Sequence, residues 1–188
     1  QMCIRDRYLN CSYTGSSGSN YEWFNKILGD RAKNIASEQG RSHYKVLDEM
    51  IEKINPAKAK VFYSPFIAQP SIHQNAKANF VNIGLNTTYE ELVYSLAEGT
   101  GFIHKQHVDF LREANLPLKE IRLTGGTSKS KTWNKLFANI LQSPIVGVDC
   151  EETGALGAAI VAGIGSGVYK DYNDAKNKAV KLLDPIYP

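Results

Sequence analysis

The sequence has few cysteines, no long apolar run and no concentration of charge of one sign. Its 3 cysteines among 188 residues are an odd number, and their spacing fits neither a disulfide framework nor a zinc site. No apolar run approaches the roughly 20 residues that a membrane span needs. The net charge of +3 comes from scattered lysines and arginines, which argues against a nucleic-acid surface. These absences favour a cytoplasmic protein with reduced thiols and with neither a membrane nor a nucleic-acid partner.

The first seven residues, QMCIRDR, lack the apolar core of a signal peptide. They resemble the translation of a transposase adapter that is used in sequencing libraries. We expect residues 1–7 to be a sequencing-library scar, with native sequence beginning near Tyr8. On this expectation the domain occupies residues 8–188 and the gene continues upstream.

Apolar spacing predicts several elements before residue 115: helices at 21–28, 42–54 and 88–114, and short strands at 8–13, 61–63 and 80–83. Thr87 or Thr88 is the expected cap of the longest helix. The polar stretch 30–41 is expected to be irregular, and 64–79 is expected to be a long loop.

Strands and helices alternate in the last third of the chain. Strands are predicted at 120–124 and 145–148, and helices at 131–141, 154–164 and 171–183. This alternation indicates an α/β fold. The helix at 154–164 is rich in glycine and alanine, and we expect it to be buried.

The segment LTGGTSKSKTW, at 123–133, joins a strand to a helix through two glycines. Glycines let the backbone approach a ligand closely and adopt a positive φ. A helix N-terminus offers free N–H groups and a positive dipole end to phosphates. The GxxxxGK[ST] spacing of a P-loop is absent, and taken alone the segment also fits a plain turn.

A second segment, DCEETGALGAAIVAG at 149–163, begins another helix. Thr153 is the expected cap, and Glu151 and Glu152 lie at the positive end of the helix dipole. The small residues that follow allow close packing against a sheet or a flat ligand, and close packing alone would explain them. Adjacent Glu151 and Glu152 do not face one site, so we do not expect a catalytic carboxylate pair.

In this order the two segments resemble the FGGY carbohydrate kinases, which have a GGGAKS-like turn, a tryptophan and an E-x-GALGAA helix. The stretch GSGVYKD at 165–171 is similar to the family's G-x-G-x-Y-x-D. ANFVNIG at 78–84 is similar to its second signature, and QNAKA at 74–78 is most similar to L-xylulose kinases and xylulokinase-like members. Four positions depart from the pattern. Thr127 replaces the third glycine of the turn, Asn82 replaces a signature glycine, and Leu96 and Ala97 stand where the family prefers other small or branched residues.

The resemblance implies an actin-like (ribonuclease H-like) ATPase-fold domain, the C-terminal half of a two-domain sugar kinase whose N-terminal domain is missing here. The nucleotide-binding residues that it implies are Gly125, Gly126, Thr127, Ser128, Lys129, Ser130, Gly154 and Ala155. The family's aspartate base and phosphate loop belong upstream of Tyr8, so this chain supplies no catalytic residue. We expect it to be inactive alone. ATP and Mg²⁺ are the implied cofactors, and a small-molecule sugar is the implied substrate. In the complete enzyme, Gly126→Val is expected to weaken ATP affinity, because valine would crowd the turn and strain a positive φ.

Three functions stay open. The first is ATP-dependent phosphorylation of a pentulose, with L-xylulose as the leading candidate. The second is a non-catalytic actin-like module that binds nucleotide, and the third is an FGGY kinase for ribulose, gluconate or glycerol. His104 and His107 lie three residues apart without an accompanying ligand cluster, so no metal site is expected. A homo-oligomer stays open, because the sequence does not determine the oligomeric state.

Overall fold

The computed structural model describes residues 2–4, 7–9, 12, 14–68, 74–116, 118–150 and 152–188, without the side chains of 2–4 and 7–9. The predicted role of Glu151 at a helix start lies outside these residues. The chain divides into two compact units, Gln1–Pro117 and Leu118–Pro188.

The first unit is mainly helical. Its helices are α1 (Gly18–Leu28), α2 (Asp30–Glu38), α3 (His43–Glu52) and α4 (Tyr89–Glu113). Its short strands pair antiparallel, β1 (Met2–Ile4) with β2 (Arg7–Leu9) and β3 (Phe62–Ser64) with β4 (Asn79–Val81). Thr88 caps α4 as expected, in a capping box with Glu91 in which each side chain accepts from the other's backbone N–H.

The core of the first unit includes a close contact between α4 and β3. A Cβ added to Gly99 would collide with the carbonyl oxygen of Tyr63 and lie 3.1 Å from its carbonyl carbon. The Tyr63 hydroxyl donates to Oδ1 of Asn20 at 2.9 Å, and both side chains are buried. Burial raises the pKa of Tyr63 to about 12. A hydrogen bond between neutral side chains therefore links α1 to β3.

The prediction of irregular structure at 30–41 is wrong for most of that stretch, because Asp30–Glu38 forms α2. Its buried face consists of Ala32 and Ala36, which lie one helical turn apart. Two alanines on a polar helix give a weak apolar stripe, and packing against α3 holds the helix in place.

The second unit alternates strand and helix, as predicted. Parallel strands β5 (Ile121–Leu123) and β6 (Ile145–Gly147) are joined through α5 (Lys131–Leu141), and α6 (Thr153–Gly165) and α7 (Tyr172–Ala179) follow. This order confirms the α/β class. Cys150, between β6 and α6, is a free thiol.

The predicted final helix at 171–183 is too long, because α7 ends at Ala179. The residues beyond it run antiparallel to β6. Ile145 and Ile186 exchange two backbone hydrogen bonds of 2.9 Å, and the N–H of Leu183 donates to the carbonyl of Gly147 at 3.0 Å. The pairing covers an edge of β6 and favours an extended chain over another helical turn.

Candidate functional site

Two parallel strands set the position of the candidate site. β5 and β6 pair with Leu123 opposite Gly147. Because the strands are parallel, the chain leaves both of them at the same edge of the sheet. Ligands of open α/β sheets bind outside this carboxyl edge. The Gly-Gly turn follows β5, and the segment that leads to α6 follows β6, so both leave the sheet of the second unit at the same edge.

Residues 125–130, here called the glycine turn, are closed by their own hydrogen bonds. Gly125 adopts φ 89° and ψ −172°, a conformation available essentially to glycine alone, and Gly126–Lys129 form a 3-10 turn. Ser128 donates twice to the carbonyl of Gly125, from its backbone N–H at 3.2 Å and from its hydroxyl at 2.7 Å. The N–H of Ser130 donates to the carbonyl of Thr127 at 3.1 Å. These bonds give the turn a defined shape.

The positive φ lies at Gly125 and not at Gly126, where the sequence placed it. Gly126 begins the 3-10 turn, whose φ values are negative. A Cβ added to either glycine meets no atom within 4 Å. The strain expected from a positive φ at Gly126 is therefore wrong, while the weaker ATP affinity of Gly126→Val stays a prediction. The space beside both α-carbons is open.

The first turn of α5 begins directly after the glycine turn. The side-chain oxygen of Ser130 accepts from the N–H of Trp133 at 3.1 Å and caps the helix. Trp133 is buried, and its ring centroid lies 5.6 Å from that of Phe137. The aromatic pair anchors the start of α5, so the positive end of the helix dipole is fixed next to the glycine turn.

Asn134 is a polar residue on the buried face of α5 that the motifs did not indicate. Its side chain is 7% exposed, and its Nδ2 donates to the carbonyl of Ser128 at 2.9 Å. Its Oδ1 is buried without a partner in the described part of the chain. The sequence does contain a signal for this residue, because an asparagine between Trp133 and Leu136 lies on the apolar stripe of a predicted helix.

The prediction that the helix at 154–164 is buried is wrong for this chain, because no residue of α6 is buried. Gly154 and Ala155 are exposed in its first turn, and a Cβ added to Gly154 meets no atom within 4 Å. The expected cap also differs: Glu152 is the N-cap, without a side-chain hydrogen bond, and Thr153 is the first helical residue. The start of α6 is therefore open space bordered by small residues.

Titratable side chains of the first unit pair within that unit. The Tyr94 hydroxyl donates to Glu98 at 2.9 Å, and burial raises the pKa of Glu98. Nε2 of His104 lies 2.8 Å from the Ser17 hydroxyl, and burial lowers the pKa of both His104 and His107. Among the described residues, no group of three or more His, Cys, Asp or Glu is placed to hold a metal. No helix within them has the length and apolar content to cross a membrane.

Comparison with known proteins decides the family. The sequence profile of the FGGY family of carbohydrate kinases, C-terminal domain, matches residues 2–166. The chain belongs to the FGGY family. The boundary expected at Tyr8 stays a prediction.

Similar FGGY proteins are sugar kinases about three times as long as this chain. L-xylulose/3-keto-L-gulonate kinase of Escherichia coli (strain K12) is 26% identical over 161 residues, which cover 86% of this chain and 30% of that protein. Xylulose kinase of Bacillus subtilis (strain 168) is 22% identical over 187 residues, which cover 98% of this chain and 36% of that protein. The chain thus spans about a third of the length of these relatives.

Solved FGGY structures share the fold. Xylulose kinase from Rhodospirillum rubrum superposes with a TM-score of 0.72 at 24% identity, over 91% of this chain and 33% of that one. Glycerol kinase from Plasmodium falciparum, solved with ADP, superposes with a TM-score of 0.71 at 22% identity, over 90% and 32% of the two chains. At these identities the likeness shows the fold alone. It confirms the ATPase fold of the C-terminal half of an FGGY sugar kinase.

Proposed function

We propose that the protein containing this chain phosphorylates a sugar with ATP, and that this chain supplies the nucleotide side of its active site. The observation that supports the proposal best is the glycine turn. It begins with a glycine-only conformation at Gly125 and ends at Ser130, the cap of α5, at the sheet edge where the chain also leaves β6. A chain of the FGGY family with this arrangement is suited to hold a nucleotide there.

In the proposed complex, the adenosine lies against the glycine turn. Gly125 and Gly126 have open space at their α-carbons, which lets the backbone approach the ligand closely. The proposed hydrogen-bonding groups are the backbone of Thr127, Ser128 and Lys129 and the hydroxyl of Ser130. The hydroxyl hydrogen of Ser130 is available for this role, because its cap on α5 uses the oxygen as an acceptor.

A second wall of the adenosine pocket is proposed at the start of α6. Gly154 and Ala155 are exposed there and present almost no side chain to a flat ring. Thr127, in place of a family glycine, adds a partly buried side chain to the turn. The exact nucleotide contacts at that position therefore differ from those of a three-glycine turn.

Phosphoryl transfer also needs a base for the sugar hydroxyl, donors for the γ-phosphate, and Mg²⁺ to neutralise phosphate charge. We place the base and the phosphate loop in an N-terminal domain, in line with the threefold greater length of the relatives. The exposed apolar surface of α6 is the face that this domain is proposed to cover. The described residues hold no metal cluster of their own, so Mg²⁺ is expected to enter with the nucleotide phosphates.

The first candidate substrate is a pentulose, L-xylulose in particular, because "L-xylulose/3-keto-L-gulonate kinase" of Escherichia coli and "Probable L-xylulose kinase" of Haemophilus influenzae are among the similar proteins. A polyol is the second candidate, since erythritol kinase of Brucella abortus is 29% identical over 142 residues. A non-catalytic nucleotide-binding module is the remaining alternative. Because ATP is the proposed phosphoryl donor, the cytoplasm is the proposed location.

The test is an ADP-release assay of the full-length protein with MgATP and a panel of L-xylulose, D-xylulose, L-ribulose, gluconate, erythritol and glycerol. We expect the highest kcat/KM with L-xylulose and no sugar-dependent ADP release by the 188-residue chain alone. Equal turnover of many sugars would contradict the substrate. Nucleotide binding without turnover of any sugar would favour the non-catalytic module, and turnover by the isolated chain would refute the placement of the base upstream.

A further inference from the structure

Two hydrogen bonds from Asn134, a buried residue of α5, connect this helix to the glycine turn. Its Nδ2 donates to the carbonyl of Ser128 at 2.9 Å, and its backbone N–H donates to the carbonyl of Ser130 at 3.1 Å. The two bonds tie the first turn of α5 to both the middle and the end of the glycine turn.

Stability alone does not explain an asparagine at this position. Its neighbours on the buried face of α5 include Trp133, Leu136, Phe137 and Leu141. Asparagine has a lower helix propensity than leucine. Its Oδ1 is buried without a partner among the described residues, which costs free energy that an apolar side chain would avoid. What asparagine adds at this position is a donor for the carbonyl of Ser128.

This hydrogen bond fixes the direction of one peptide group of the turn. In a trans peptide the carbonyl of Ser128 and the N–H of Lys129 point in opposite directions, so holding the carbonyl toward α5 directs that N–H away from Asn134. Ser128 in turn donates two hydrogen bonds to Gly125. Hydrogen bonds therefore connect Asn134, through Ser128, to Gly125, the residue with the glycine-only conformation.

We propose that Asn134 is a positioning residue for nucleotide binding. It does not touch the nucleotide; it holds the glycine turn in the conformation that binds. The inference rests on the proposed function, because that function assigns the glycine turn to the nucleotide.

Two substitutions separate positioning from packing. Asn134→Leu and Asn134→Ala both remove the donor, but leucine adds volume to the core and alanine leaves a gap. Asn139→Leu is the matched control, because Asn139 is exposed on the same helix.

The measurements are the Kd for MgADP by titration calorimetry and the unfolding midpoint, both on the full-length protein. We expect Kd to rise about threefold to tenfold in both Asn134 variants, because this ratio corresponds to the net free energy of one hydrogen bond. Asn139→Leu should keep the wild-type Kd.

We expect the MgADP affinity to depend on the presence of the Asn134 donor and not on the unfolding midpoint. A folded Asn134 variant with the wild-type Kd would overturn the inference, and so would a Kd that follows the unfolding midpoint across the variants. If neither Asn134 variant folds, Asn134 belongs to the core and the inference is wrong. If the wild-type protein does not bind MgADP, the proposed function fails together with the inference. If the wild-type protein binds MgADP and the substitutions leave Kd unchanged, only the inference fails.

Discussion

Gly125 is the position of the glycine turn at which a side chain should disturb the backbone most. Its φ of 89° and ψ of −172° lie in a region populated essentially by glycine, where another residue costs about 1–3 kcal/mol. Gly126→Ala is the matched control, because Gly126 has a negative φ and an equally open Cβ position. Both substitutions restrict the unfolded chain alike, by about 0.4–1 kcal/mol. The difference between them therefore isolates the backbone strain.

We expect Gly125→Ala to be less stable than Gly126→Ala by about 1–3 kcal/mol in urea unfolding followed by circular dichroism. If the turn relaxes to relieve the strain, this difference shrinks, and the affinity for MgADP falls because the hydrogen bonds from Ser128 are disturbed. Calorimetric titration with MgADP on both variants detects that alternative. Equal stability together with equal MgADP affinity would refute the glycine-only conformation at Gly125.

Three further substitutions test the packing of the first unit. Gly99→Ala should lower the free energy of unfolding in urea by about 1–3 kcal/mol, because the new methyl group collides with the Tyr63 carbonyl. Tyr63→Phe should lower it by about 1–3 kcal/mol, because the buried Oδ1 of Asn20 loses its donor. Burial raises the pKa of Glu98, so the folded state favours its neutral form and loses stability as pH rises above the unfolded pKa. Glu98→Gln keeps an acceptor for Tyr94 and should raise the thermal midpoint more at pH 8 than at pH 4.

Each of these three predictions for the first unit has a result that would contradict it. Wild-type stability of Gly99→Ala would mean that α4 and β3 do not approach as closely as the structure shows. A neutral Tyr63→Phe substitution would mean that Asn20 gains another donor. An effect of Glu98→Gln that is the same at both pH values would show that burial does not shift the ionisation of this carboxyl group.

Local signals made the second unit largely predictable. The structure has α5 within the predicted bounds, because Ser130 supplies a cap and Trp133, Phe137 and Leu141 form a regular apolar stripe. The two strands were bounded by turn-forming residues. The alternation of strand and helix also favours parallel pairing, in which the chain leaves both strands at the same edge of the sheet.

Features that depend on particular contacts of the folded chain were not predictable. The extended chain after Ala179 pairs with β6, and no local pattern in that segment indicates the pairing. Gly125 and Gly126 are equivalent in sequence, and only the two hydrogen bonds from Ser128 distinguish them. The role of Asn134 likewise appears only when its distance to the Ser128 carbonyl is known. The exposure of α6 depends on what covers it and not on its own composition.

The claim that the glycine turn and the start of α6 hold the nucleotide is tested most directly by hydrogen–deuterium exchange of the full-length protein with and without saturating MgADP. We predict slower exchange in peptides that cover residues 125–134 and the first turn of α6, and unchanged exchange in α3. Unchanged exchange across the glycine turn while MgADP is bound would contradict the account and place the nucleotide elsewhere.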